Sequence, residues 1–367
     1  MLRYNSLIQK YPTSEELFAF LRSDEGGRIQ IRETAMRPDF PLAVLYYDKK
    51  KSDMANPSVG FFRSVIWDTV KNRPVCVGPA RGSKFSAAVA GPIHVQDFID
   101  GVMINMFYYN GAWHLATRTQ IGAENSFYGR RPYASLFWEA FAALGLTLDS
   151  LDTTATYSWV LQHPEERIVV APEFGIPKLY LIKSEDSALK VPRPVTHDLD
   201  TLEKIKDRVQ LWGRKFGAQW QGLIFYDKNG TRYKIRSDAY EEARHLRGNQ
   251  PKREYLWLER WTEGRLPAYT RLYPEEEHQA TAIVEQFKTC TKEFYEVYGS
   301  VYKEKKFPLK AAPQKYRKLL WEARQAGVGG YFPALRDFMN KQDVARKLWL
   351  VNYEARYPGE EVEVAAA

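Results

Sequence analysis

Apolar residues recur every three to four positions near the two ends of the chain. Through the middle they alternate with polar ones or run in short β-branched and aromatic blocks. Thr13-Ser14-Glu15-Glu16, ahead of Leu17, Phe18, Phe20 and Leu21, is a capping-type start and predicts a short N-terminal helix within residues 13–32. From about Pro41 to Tyr240, runs rich in Val, Ile, Tyr, Phe and Trp are punctuated by Gly, Asn, Asp and Pro. The expected strands cover residues 42–47, 60–67, 75–78, 102–109, 113–119, 157–161, 168–170, 178–182, 223–226 and 233–236. Tyr109-Asn110-Gly111-Ala112 and Asp227-Lys228-Asn229-Gly230 each join two of them as an antiparallel hairpin, because Asn and Gly tolerate positive φ. Helices are expected at 133–144 and 202–216, and again after Tyr240 at 281–301, 313–326 and 334–353. The pattern predicts an α+β domain of antiparallel sheets with flanking helices over residues 1–245, then a mainly α-helical C-terminal domain over 246–367. Gly248-Asn249-Gln250-Pro251 reads as the linker, and residues 358–367 as a frayed tail.

Composition narrows the function. The 367 residues are 44% hydrophobic, enough for real cores, so disorder throughout is excluded. Lys and Arg exceed Asp and Glu by 53 to 45, which favours an anionic partner, nucleic acid first. A basic run, Lys303, Lys305, Lys306, Lys310, Lys315, Arg317 and Lys318 with Arg324 just beyond, reads as solvated helix ends or as an RNA-binding stretch. Aromatic residues make up 14% of the chain, and many stand beside Lys or Arg, which suits base stacking as well as packing. Cys76 and Cys290 are too few for a zinc cluster or a disulfide framework and suit a reducing compartment. No window approaches the roughly 18 apolar residues of a bilayer span, and Met1-Leu2-Arg3-Tyr4-Asn5 is not signal-like. The expectation is an intracellular, cytoplasmic protein with no membrane partner.

Four strings, the first and the last each in two parts, occur in a telling order. Phe62-Arg63-Ser64-Val65-Ile66-Trp67 is followed by Pro79-Ala80-Arg81-Gly82-Ser83-Lys84-Phe85; next come Asp97-Phe98-Ile99-Asp100-Gly101 and Trp159-Val160-Leu161-Gln162-His163-Pro164-Glu165-Glu166-Arg167; last are Gln221-Gly222-Leu223-Ile224 and Tyr233-Lys234-Ile235-Arg236-Ser237-Asp238-Ala239-Tyr240. Together, over roughly residues 55–240, they resemble the nucleotidyltransferase (ATP-grasp-like) domain of RNA ligases of the phage T4 RNA ligase 1 type. The resemblance implies a lysine in a Lys-x-Asp-Gly string that attacks the α-phosphate of ATP. The lysyl-AMP passes its AMP to an RNA 5′-phosphate, which a 3′-hydroxyl then displaces, with Mg²⁺ held by carboxylates.

The departures from that pattern fall on the chemistry. Aligned on Asp100-Gly101, the nucleophile's position holds Phe98, whose ring has no lone pair to attack phosphorus. Two further positions where the family has glutamate hold Val160 and Gln221, so metal affinity should fall. What the resemblance leaves is a phosphate-binding half: Arg63, Lys84, Arg118, Lys234 and Arg236 around the nucleotide, with Asp100, Gly101 and Gly222 in the same strings. The loss of two carboxylates makes such a cleft more positive by about two charges. Phe98 either fills the space left by lysine or offers its face to a base. Lys84 lacks the Asp-Gly that a substitute nucleophile would have, and His94, His114 and His163 are scattered and read as packed or surface imidazoles.

The leading expectation is therefore an RNA-ligase-like protein that has lost covalent adenylylation and serves as a nucleic-acid-binding or assembly component. By analogy with the family it is a viral or phage protein, virion-associated if so. The alternative is an active ATP-dependent RNA ligase with atypical catalytic residues, using ATP and Mg²⁺. A third reading has the basic surface meet an acidic protein partner in an assembly.

Overall fold

The computed structural model describes residues 2–34, 40–84, 92–228 and 230–358. The expected tail lies almost wholly outside them, as does Asn229 of the second hairpin. The chain divides into two compact units, residues 1–245 and 246–367.

The first unit opens with helices α1 (Leu2–Lys10) and α2 (Ser14–Arg22). Thr13 caps α2: its hydroxyl accepts from the Glu16 N–H, and the Glu16 carboxylate accepts from the Thr13 N–H, both at 3.2 Å. Past the helix the chain does not stay helical to residue 32; it turns through Gly26-Gly27 into a strand. Strands β1 (Gln30–Glu33), β2 (Leu42–Tyr46), β3 (Val65–Asp68) and β4 (Arg73–Val77) form an antiparallel sheet in that order. Its inner face buries Ala43, Leu45, Val65 and Trp67 against Leu17, Phe18 and Leu21 of α2. At about 1.5–3 kcal/mol per buried large side chain, this contact anchors the helix.

β5 (Ser83–Lys84) and β6 (Pro92–Asp97) belong to a second sheet. β7 (Val102–Tyr109), β8 (Ala112–Ala116), β9 (Tyr157–Gln162) and β10 (Lys178–Ser184) make a third, ordered β10-β9-β7-β8. β11 (Thr196–His197), β12 (Gly222–Asp227) and β13 (Arg232–Arg236) complete the second, ordered β11-β6-β12-β13-β5. All these pairings are antiparallel except β13 with β5. Asn110 and Gly111 both take positive φ, 48° and 82°, so the β7–β8 turn twists with its strands. Helix α3 (Tyr133–Ala143) lays Leu136, Phe137, Ala140 and Phe141 on the third sheet. Helix α4 (Leu202–Phe216) sets Ile205 and Val209 against Val95, Leu223 and Phe225 of the second. Helix α5 (Asp238–Arg247) follows β13. The architecture is α+β, antiparallel sheets with flanking helices followed by a helical unit.

Several expected elements differ. Residues 60–67 are not one strand: Pro57–Phe61 is a 3₁₀ turn and pairing starts only at Val65. The apolar stretch 168–170 is not a strand, because Val169 and Val170 give their N–H groups to the Asp100 carboxylate instead of a ladder. β1, β5, β6 and β11 have no counterpart among the expected strands.

The second unit is helical: α6 (Arg253–Thr262), α7 (Leu266–Leu272), α8 (Glu277–Tyr298), α9 (Gln314–Gln325), α10 (Phe332–Asn340), α11 (Val344–Val351) and α12 (Tyr353–Arg356). Its core gathers Leu256, Phe287, Phe294, Tyr316, Leu320, Met339 and Leu348. The expected helix 334–353 breaks where the Asp343 carboxylate caps a new one by accepting from the Arg346 N–H at 2.7 Å. Among the described residues no helix is long and apolar enough to cross a membrane.

Candidate anion-binding site

Strand alternation sorts β13 into two sets. Tyr233 and Ile235 pack with the α4 cluster, which leaves Arg232, Lys234 and Arg236 on the opposite face. Across the ladder Lys234 pairs with Ile224, and Ile224 with Gln96, so that face continues over β12 and β6. On its other side the Lys84 backbone pairs with that of Lys234.

Loops of the other sheets bring further cations. Arg63 precedes β3, and its neighbour Ser64 is held by a buried network: Asn105 Nδ2 donates to Ser64 Oγ at 2.9 Å, and Ser158 Oγ to Asn105 Oδ1 at 2.8 Å. Arg81 precedes β5 and Arg118 follows β8. Their guanidiniums lie 5.8 and 5.5 Å from the centre of the buried Tyr47 ring. Lys49 follows β2, and Arg244 projects from α5.

These charges feel one another. Burial, with Arg236, Arg81, Lys49 and Arg63 close by, lowers the Lys234 amine to about 8. Burial and then Arg232 lower Arg63 to about 10. Lys49 is also lowered, by desolvation first and then by Arg244, Arg81, Arg118 and Arg236. Few acids answer them. Glu241 holds Arg236 at 2.7 Å and Arg244 at 3.4 Å. The Asp48 carboxylate turns to the Lys50 backbone N–H at 2.7 Å. Among the described residues Lys49, Arg63, Arg81, Arg118 and Lys234 make no ion pair. A cluster with this surplus of cation attracts anions in a salt-dependent way.

Phe98 directly follows β6, and its N–H donates to the Gly222 carbonyl at 2.9 Å. Its half-buried ring lies under two guanidiniums, Arg236 at 5.1 Å and Arg232 at 5.9 Å. Such contacts contribute about 0.5–2 kcal/mol each and fix where the guanidiniums stand. The ring thus does more than fill space. Gly101 and Gly222 take φ of 142° and 137°; a Cβ would fall 2.3 Å from the Leu161 carbonyl oxygen at the first and 2.2 Å from that of Ile235 at the second. Only glycine admits these close strand crossings.

Asp100 is a brace. Its Oδ2 accepts from Val169 N–H at 3.0 Å and Val170 N–H at 2.9 Å, and its Oδ1 from the Tyr240 hydroxyl at 2.7 Å. Val160 is buried on β9, and Gln221 is buried with its Oε1 unpartnered. A cavity of about 470 Å³ opens beside Phe98, lined by Asp97, Gln162, Pro172, Trp220 and Gln221 among others. Among the described residues no group of three His, Cys, Asp or Glu side chains could hold a metal ion.

Of the residues singled out in the sequence, Arg63, Arg118, Lys234 and Arg236 share one electrostatic cluster with Phe98 beneath it. Asp100, Gly101 and Gly222 shape the turns around it. The histidines are engaged elsewhere: His114 Nε2 meets the Tyr109 carbonyl at 3.1 Å, His163 Nδ1 accepts from the Glu165 N–H at 3.2 Å, and His94 lies 3.3 Å from Gln96 Oε1. Sequence reading missed Lys49, Arg81, Arg232 and Arg244. Arg81 lay inside a quoted string, and Arg232 was two positions from Lys234 on one strand face; Lys49 and Arg244 carried no such signal.

No protein-family model matches the chain. Among curated proteins it is similar to the immediate-early protein ICP-46 homolog of Invertebrate iridescent virus 3, 26% identical over 172 residues. That match covers 44% of this chain and 38% of the viral protein, so the chain spans well under half of its relative's length. Among solved structures it has loose likenesses. An archaeal ATP-dependent RNA ligase is 11% identical, with 79% of this chain and 82% of that one covered and a TM-score of 0.42. The RNA ligase of Naegleria gruberi with PPi is 14% identical, with 58% and 76% covered and a TM-score of 0.30.

Proposed function

We propose that the first unit is a ligase-like nucleotidyltransferase domain that has lost covalent adenylylation and holds the phosphates of a nucleotide or nucleic acid by charge alone. One observation carries this reading: at the position where the resemblance calls for an amine stands a benzyl ring that supports two guanidiniums. Adenylylation forms an N–P bond from a lone pair and expels pyrophosphate, and Phe98 has no such pair. The guanidiniums and the Lys234 ammonium still suit phosphate oxygens, through charge-assisted hydrogen bonds. ATP fits this phosphate-binding set, whereas Mg²⁺ finds no carboxylates at Val160 or Gln221. The viral relative supports a viral protein acting inside the infected cell or in the particle, with RNA or another polyanion as partner.

A second reading has one observation in its favour. An amine held at about 8, as Lys234 is, is partly deprotonated near neutral pH and could act as an unorthodox nucleophile in a working RNA ligase. One experiment separates the two. Incubation with α-labelled ATP and Mg²⁺, followed by a denaturing gel, leaves the protein unlabelled on the first reading. A stable adduct, mapped by mass spectrometry to Lys234, establishes the second. Absence of tripolyphosphate or ATP binding at low salt would remove both.

A further inference from the structure

Helix α9 buries Tyr316, Leu319, Leu320 and Ala323. At about 100° per residue, Arg317, Lys318, Trp321 and Arg324 fall together on its outward side, within an arc of about 120°. All four are exposed, Trp321 to 53%. The acid of this helix and the two that meet its Lys315 are committed elsewhere: Glu322 holds Arg346 at 2.7 Å, and Glu293 and Glu354 hold Lys315 at 2.8 and 3.0 Å. Arg317, Lys318 and Arg324 make no ion pair among the described residues.

The stripe runs on beyond the helix. The Arg324 guanidinium lies 5.5 Å from the centre of the Tyr302 ring. Exposed Lys303 borders Gly330, where a Cβ would fall 2.8 Å from Lys303 Cε. One residue further, Tyr331 is 62% exposed. A half-exposed indole on the same helix side as three cations without ion pairs, of which Arg317 donates its Nε–H to the Ala312 carbonyl at 2.6 Å, fits a partner with negative charge and flat apolar faces. An acidic peptide would answer the cations and leave the rings bare. A lipid surface would call for more apolar area than α9 turns outward.

We propose that the helical unit carries a surface for single-stranded nucleic acid, with bases stacked on Trp321 and Tyr331 and phosphates held by Arg317, Lys318 and Arg324. This inference stands on the helical unit alone and does not rest on the reading of the cleft.

The test uses the full chain with Arg63→Gln and Arg118→Gln, so that cleft binding does not mask the surface, and a fluorescent 20-nucleotide oligo(U) read by anisotropy across salt. Trp321→Ala with Arg324→Ala should weaken binding about tenfold or more, and should flatten the plot of log affinity against log salt by about 0.7 for the lost charge. Trp321→Phe should retain most of the affinity. With circular dichroism unchanged, equal affinity of the double variant and its parent would overturn the proposal. So would tighter binding of phosphatidylserine vesicles or polyglutamate than of the oligonucleotide. Photo-crosslinking of 4-thiouridine RNA to the unmutated protein gives a second readout: crosslinks should fall within residues 317–331, and their absence there refutes the assignment.

Discussion

Lys234 shows how far neighbours change a side chain. Burial and four nearby cations hold its amine at about 8 against an ordinary 10.5, so its ammonium is present at pH 7 and largely gone at pH 9. Affinity of the cleft for tripolyphosphate should therefore fall across that window, beyond what a surface lysine would give, in a calorimetric titration at fixed ionic strength. The same shift acts on stability: between about 8 and 10.5 the unfolded chain binds the extra proton, so this residue's contribution favours the fold increasingly as pH rises. Removing the positive charge that lowers it most, with Arg236→Gln, should move the amine back upward, readable by NMR of the ¹⁵N-labelled side chain. Phe98 has a different role. Phe98→Ala withdraws the ring from under Arg232 and Arg236; we expect a loss of about 2 kcal/mol in urea unfolding and a several-fold weaker hold on tripolyphosphate, since the guanidiniums lose their support. Retained affinity would show that they do not need it.

At the level of elements, what could be read from the sequence depended on whether local pattern or distant partners decide the structure. The β7–β8 hairpin was legible because Asn110-Gly111 sets its twist locally, and α4 because its apolar stripe is unbroken. Lys234 and Arg236 on β13 were picked out through the resemblance alone, and strand alternation then sets them on one face with Arg232. Residues 168–170 misled because an Ile-Val-Val run normally feeds a ladder, whereas here Asp100, far away in sequence, takes the donors. β6 was missed because it begins at Pro92 and its alternation, Ile93-His94-Val95-Gln96, covers only four residues, and β11 because two residues carry no period. The cleft was legible only in part for the same reason: Lys49 and Arg244 join it through tertiary packing. α11 supplies a test. Lys347 is fully buried, its amine donating to Thr262 Oγ1 at 2.7 Å, with the rings of Trp261 and Phe287 about 5.5 and 5.7 Å away. Burial lowers its basicity, so holding it charged at pH 7 is unfavourable. Lys347→Met should raise the thermal midpoint at pH 7, with a gain of about 1 kcal/mol, and the gain should shrink toward pH 10 as the wild-type amine sheds its proton.

Over the whole molecule, each unit has its own core: the cluster around Phe287 and Phe294 draws only on residues beyond 245, and those of the three sheets only on residues before it. The stretch between α5 and α6 contains exposed Asn249, Pro251 and Lys252. Brief trypsin treatment should thus cut first after Lys252 and leave two fragments that resist further digestion, as seen by mass spectrometry. Early cuts inside either unit would contradict this organisation. The net charge of +8 is unevenly matched, with cations unanswered in the cleft and along α9 while much of the remaining charge is paired.

Glu241 gives the cleft an occupant of its own. Its carboxylate steadies Arg236 and Arg244, which would otherwise push each other apart; for the phosphate ligand proposed above, it would be the rival for the same two guanidiniums. Occupation is then an exchange of one anion for another, and how tightly the cleft holds its guest is set by the difference between two attractions. On that proposal, weakly charged anions should lose the contest, and one bearing several negative charges should win it.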